Sequence, residues 1–127
     1  MTSSELPSNE VMVGLDLGQT SIKGGLVSRS GELILTYRAT SEIHVHPEAW
    51  FDDLVNVAMA LCELADARGL VLLGVGLSST IDVDAASGCI RSVNYATLEP
   101  WLGFNVASAL QERLHLPALV ENDGIAA

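Results

Sequence analysis

The chain has 127 residues, 49% hydrophobic and 17% charged, with sixteen acidic against six basic side chains and a net charge of −10. That composition fits one globular domain able to bury about two-thirds of its unfolded surface, and it excludes a binder of nucleic acid or anionic membrane that works by charge alone. Cys62 and Cys89 stand far apart in no Cys-x-x-Cys pattern, which suggests neither a zinc site nor a disulfide framework and reads as buried thiols in a reducing, cytoplasmic setting.

Residues 1–10 hold no basic patch ahead of an apolar core, so they read as a flexible tail rather than a secretory signal. Three β-compatible runs follow, 11–18, 21–28 and 32–40, broken at Gln19-Thr20 and Ser30-Gly31; they predict an antiparallel meander. In 48–68 the residues Phe51, Leu54, Val55, Ala58, Cys62 and Ala65 recur at three- and four-residue spacing, which predicts one long amphipathic helix stopped at Gly69. The apolar run 70–77 predicts a fully buried parallel strand, and it is far too short to span a bilayer. Asp82, Asp84, Ser87 and Gly88 supply turn chemistry, a short strand is expected at 89–93, a helix at 104–114 and a last strand at 118–121. This order calls for an α/β fold, a mixed β-sheet of antiparallel meander plus parallel strands flanked by helices. The chain stops at Gly124-Ile125-Ala126-Ala127, where a further helix is expected to begin, so residues 11–127 read as the first lobe of a larger protein.

Two stretches carry chemistry. Asp16-Leu17-Gly18-Gln19-Thr20-Ser21 is a tight turn with an acid at the end of the first strand. Gly18 admits close approach of a ligand, Thr20 and Ser21 offer donors to phosphate oxygens, and Asp16 can hold magnesium. The turn is neither a Walker P-loop nor a dinucleotide fingerprint, and an ordinary hairpin turn uses the same residues. Glu121-Asn122-Asp123 closes a strand, the place where ligands sit in α/β sheets. A carboxylate there can take a hydroxyl proton and an amide can donate and accept, while a plain helix N-cap uses Asn or Asp equally well. His44 and His46 lack a third metal ligand nearby and read as loop histidines. Asp52-Asp53 read as favourable charge in a first helical turn.

Together these stretches resemble the N-terminal lobe of the ROK family of repressors, open reading frames and sugar kinases, within the actin-like, ribonuclease H-like ATPase fold. Asp16 to Thr20 is similar to the family's Asp-x-Gly-Gly-Thr phosphate loop, and Gly74-Val75-Gly76 to its Gly-x-Gly strand. Asn94 followed by Trp101 resembles its Asn-Leu-x-x-Trp segment, and residues 116–127 its Pro-x-x-x-Glu-Asn-Asp-x-x-Ala-Ala end. The resemblance implies an ATP-dependent kinase of a hexose or N-acyl amino sugar. Asp16, Gly18, Gln19, Thr20 and Lys23 would face ATP, with Asp16 at Mg2+; Asn94, Asn122 and Asp123 would bind the sugar, and Asp123 would be the catalytic base. The net charge of −10 points to no nucleic-acid or membrane partner, and the resemblance suggests a homodimer of the full-length protein. Two positions depart from the family: Gln19 replaces its second glycine, and Ser78-Ser79-Thr80-Ile81 stands where it has a Pro-Gly pair. A sugar-sensing regulator without its DNA-binding segment is the competing reading, and a stand-alone interaction module a third.

Overall fold

A computed structural model describes residues 9–122. Alternation in β1 (Glu10–Leu17) buries Val11, Val13, Leu15 and Leu17 on one face of a sheet and leaves Asp16 exposed on the other. The hairpin partner β2 (Ser21–Ser28) and then β3 (Leu33–Thr40) pair antiparallel in turn, giving the expected meander. Helix α1 (Trp50–Ala67) lies across the buried face through Phe51, Leu54, Val55, Ala58, Leu61 and Ala65. Gly24 makes this contact close: a Cβ there would stand 2.6 Å from Leu61 Cδ1 and 3.1 Å from Val57 Cγ1.

The helix begins two residues later than the periodicity predicts, because residues 46–49 close a turn in which Ala49 N–H donates to the His46 carbonyl. It stops at Gly69 as expected, with φ at +69°. Strand β4 (Val71–Ser79) runs parallel to β1, and β7 (Ala118–Asn122) parallel to β4, so the sheet order is β3-β2-β1-β4-β7. The expectation of a fully buried β4 is corrected. Among the described residues only one face of the sheet is covered, and Val71, Leu73 and Leu119 are 47%, 38% and 72% exposed.

Between β4 and α2 (Val106–Leu114) the chain makes a small hairpin, β5 (Asp82–Val83) with β6 (Ile90–Ser92), and a 3-10 helix, Ala96–Trp101. Asn105 caps α2 by accepting from Ser108 N–H at 2.9 Å, which starts the helix two residues later than predicted. At its other end His115 is left-handed, φ 56°, a conformation that costs a side chain with a Cβ roughly 1 kcal/mol. His115→Gly is therefore expected to raise stability by about 0.5 to 1 kcal/mol, part of the relief being returned as unfolded-state entropy. Urea denaturation checks it; a lower midpoint would show that the imidazole makes a contact worth more than the strain.

Candidate functional site

The three parallel strands finish at one edge of the sheet, and their register places the sequence-predicted residues there. Asp16 of β1 faces Lys23 of β2 on one side and Ser78 of β4 on the other, and Ser78 faces Glu121 of β7. One residue further, Leu17, Ser79 and Asn122 form the next row. With strands about 4.8 Å apart, Asp16 and the end of β7 are separated by roughly 10 Å.

The turn leaving β1 is closed by Gly18 N–H donating to Ser21 O at 2.9 Å, and a Cβ on Gly18 would lie 3.2 Å from that carbonyl. The carbonyls of Gln19 and Thr20 accept from Ile43 and Ser41 N–H at 3.2 and 3.0 Å. Two acceptors are thus tied back onto the following loop, away from any anion that approaches the turn. Asp16, Gln19, Thr20 and Lys23 are exposed. Gln19, at the family's glycine position, reaches across to the segment after β6, where its Oε1 accepts from Tyr95 O–H at 2.8 Å. Tyr95 stacks on His44 at 4.9 Å. Asn94, also exposed, borders a narrow crevice with Gln19 and Thr80, so it lies on the Gly18-turn side of the edge.

Asn122 sits deeper. Its Oδ1 accepts from Val83 N–H at 2.8 Å, and its Nδ2 donates to Val83 O at 2.9 Å and to Asp82 Oδ1 at 3.3 Å. Asp82 also receives Arg91 through NH2 at 2.7 Å and Nε at 3.2 Å, and Ser92 Oγ at 2.7 Å. The Arg91 guanidinium, with Ser92 adding, holds the Asp82 carboxyl at about 2, below the usual carboxylate range. Sequence reasoning took Asp82 for turn chemistry and missed this role, because the pairing of Asp82 with Ser92 and the reach of Arg91 to its carboxylate appear only once the hairpin is formed. Asp84 does behave as a turn residue, accepting from Ala86 N–H and Ser87 Oγ. Asp123 lies outside the described residues.

On the uncovered face, a hollow of about 500 Å³ adjoins Asp16, Lys23 and Glu121. Its floor includes Gly25, Gly14 and Gly76, aligned across three strands by register. The two glycines of the Gly-x-Gly strand have different reasons. A Cβ at Gly74 would meet the Pro117 carbonyl at 2.9 Å, whereas one at Gly76 would meet nothing within 4 Å. Gly74 lets the chain entering β7 approach, and Gly76 keeps the hollow open. His44 and His46 join no metal-ligating cluster among the described residues. Cys62 and Cys89 are free and half-buried rather than buried, and burial, with Glu63 adding, pushes the Cys62 thiol up. No described helix is long and apolar enough to cross a membrane.

No protein-family model matches the chain. Solved structures do. The ROK hexokinase of Thermus thermophilus superposes with a TM-score of 0.69 at 25% identity, over 89% of this chain and 35% of its own. The ROK glucokinase of Streptomyces griseus, solved with glucose and AMPPNP, gives 0.70 at 22% identity, over 89% and 33%. The chain has the ROK-family fold. A ROK transcriptional regulator, a homolog of the E. coli MLC protein, gives 0.73 at 12% identity over 91% of this chain and 28% of its own. Kinases and a regulator therefore share this fold, and the chain spans about a third of the length of the structures it matches.

Proposed function

We propose that this chain is one lobe of an ATP-dependent sugar kinase acting on a hexose or an N-acyl amino sugar, and that it turns over substrate only when joined to a second lobe. The observation that carries the reading is the shared strand edge. A phosphate-type turn with an exposed carboxylate, Asp16, lies about two strands from an amide-lined strand end, Asn122, and Asn94 borders the same turn. Phosphoryl transfer asks a protein mainly for in-line positioning and charge neutralisation, so such a layout is sufficient in kind.

The residues fit a magnesium nucleotide. Asp16 and Lys23 are exposed side by side, and the turn's carbonyls are engaged elsewhere, which leaves a carboxylate for the metal and a cation for phosphate oxygens. Bound magnesium would screen phosphate charge. Gly18, Gln19 and Thr20 line the approach, Asn94 and Asn122 orient sugar hydroxyls, and Asp123 takes the proton of the reacting hydroxyl. ATP use and two free thiols suit a cytoplasmic setting.

In the two-lobe protein Asp16→Ala is expected to weaken magnesium-ATP binding by about 10- to 100-fold, the worth of a charged contact, and to leave sugar affinity within about twofold. Calorimetry separates the two. Unchanged nucleotide affinity with unchanged turnover would remove Asp16 from the site. The competing reading is a sugar-sensing regulator that transfers no phosphoryl group. It draws on Gln19, whose amide is held by Tyr95 where the kinase loop has glycine; a two-lobe protein that binds sugar and never consumes ATP would establish it.

A further inference from the structure

One carboxylate joins the β5–β6 hairpin to the end of β7. Asn122 pairs with both backbone groups of Val83, and a peptide N–H can only meet the amide oxygen while a peptide carbonyl can only meet the NH2. Its orientation is therefore dictated by its partners rather than chosen between two equivalent flips. An amide NH2 has two protons. One goes to Val83 O and the other to Asp82 Oδ1. Oδ1 has two lone pairs and spends one on Val83 N–H. Asn122 is left with a single acceptor position for a ligand, although an asparagine in isolation offers donors and acceptors alike.

Asp82 is itself fixed. Arg91 binds both of its oxygens and Ser92 binds one, so the same carboxylate that takes the last Asn122 proton also anchors the strand that leads into Asn94. We propose that Asp82 is a positioning residue for the sugar site: it consumes the remaining N–H of Asn122 and holds the Arg91–Ser92 strand, so that Asn122 meets a sugar hydroxyl as an acceptor only and Asn94 is set in step with it. The ligand class rests on the kinase reading above; the coupling of Asn122 to Asn94 does not. Specificity follows, because a site left with only an acceptor demands a donor. A deoxyfluoro sugar, whose fluorine cannot donate, is rejected at the ring position facing Asn122.

The coupling is read first on the 15N-labelled 127-residue chain by nuclear magnetic resonance. Asp82→Ala should shift the Asn122 side-chain amide and the backbone amides of Ser92 and Asn94, while the Gly18–Ser21 turn stays in place. Asp82→Asn retains one carbonyl acceptor and should restore the Asn122 signal in part. Signals of Asn94 or Asn122 that do not move in Asp82→Ala overturn the proposal. Affinity is read next on the two-lobe protein with glucose and the series of monofluorinated deoxyglucoses. One fluoro analogue should bind about 10- to 100-fold more weakly than glucose, and Asp82→Ala should narrow that gap because it frees the Nδ2 proton. An equal gap in both proteins overturns the acceptor-only role. If neither glucose nor N-acetylglucosamine shifts any signal of the two-lobe protein, the sugar reading itself fails, and the Asn94 response to Asp82→Ala still decides the coupling.

Discussion

Asp123→Asn in the two-lobe protein is expected to lower turnover at least a hundredfold while changing sugar affinity only a few-fold. The change is nearly isosteric and keeps one carbonyl acceptor for a hydroxyl, but it removes the negative charge and the proton-accepting function. General-base assistance is worth about 10²- to 10⁴-fold, roughly 3 to 5 kcal/mol of barrier. An N-terminal helix cap would respond otherwise, since asparagine caps as well as aspartate and neither rate nor stability would move. Steady-state kinetics decide: turnover within threefold of the unmodified protein would remove Asp123 from catalysis and favour the sensor.

Trp50→Ala should be the most damaging change to the fold. Trp50 is fully buried at the start of α1, with Phe51, Trp101 and Phe104 packed edge-on against it at 5.6, 4.9 and 6.4 Å. Truncating a buried tryptophan costs about 3 to 5 kcal/mol, a large share of the 5 to 15 kcal/mol that typically separates folded from unfolded domains. Among the described residues its Nε1 has no hydrogen-bond partner, so the loss is one of packing and cavity formation, and Trp50→Phe should recover most of it. Trp101 differs, because its Nε1 donates to Pro47 O at 2.7 Å and ties the 3-10 helix to the loop before α1. Guanidinium denaturation reads both variants, and a loss under about 1 kcal/mol for Trp50→Ala would mean that the cluster is not the keystone of this end of the core.

Long periodic elements were legible in the sequence, as were the short strands β6 and β7, whereas the shortest pieces were not. The α1 stripe from Phe51 to Ala65 and the alternation of β1 each repeat a burial pattern several times, so the period stands out from noise. Of the β5–β6 hairpin only the second strand was expected, within 89–93; β5 has two residues and the 3-10 helix carries Pro100 inside it, and neither of these repeats a pattern long enough to show. The same holds at the site. Asp16 and Gly18 announce themselves by a local turn, and Asn122 by a strand end. The network around Asp82 depends on Asn122 arriving from a strand much later in the chain, which no local window contains. The uncovered face of β4 was hidden for another reason: an apolar run looks the same whether or not anything lies against its second face.

The position of β1 between an antiparallel and a parallel neighbour sets an order of assembly. Asp16 finds Lys23 across a tight turn, but it finds Ser78 only after β3 and α1 have been laid down, and Ser78 finds Glu121 only after α2. Local pairings close small loops at little entropic cost, whereas parallel pairings wait for long ones. The meander that carries the phosphate-type turn can thus form early, and the β4 and β7 half of the edge, with Asn122 and its carboxylate anchor, is the last to arrive. The two halves of the candidate edge differ in the loops they must close, and the longer closures fall on the half proposed to hold the sugar.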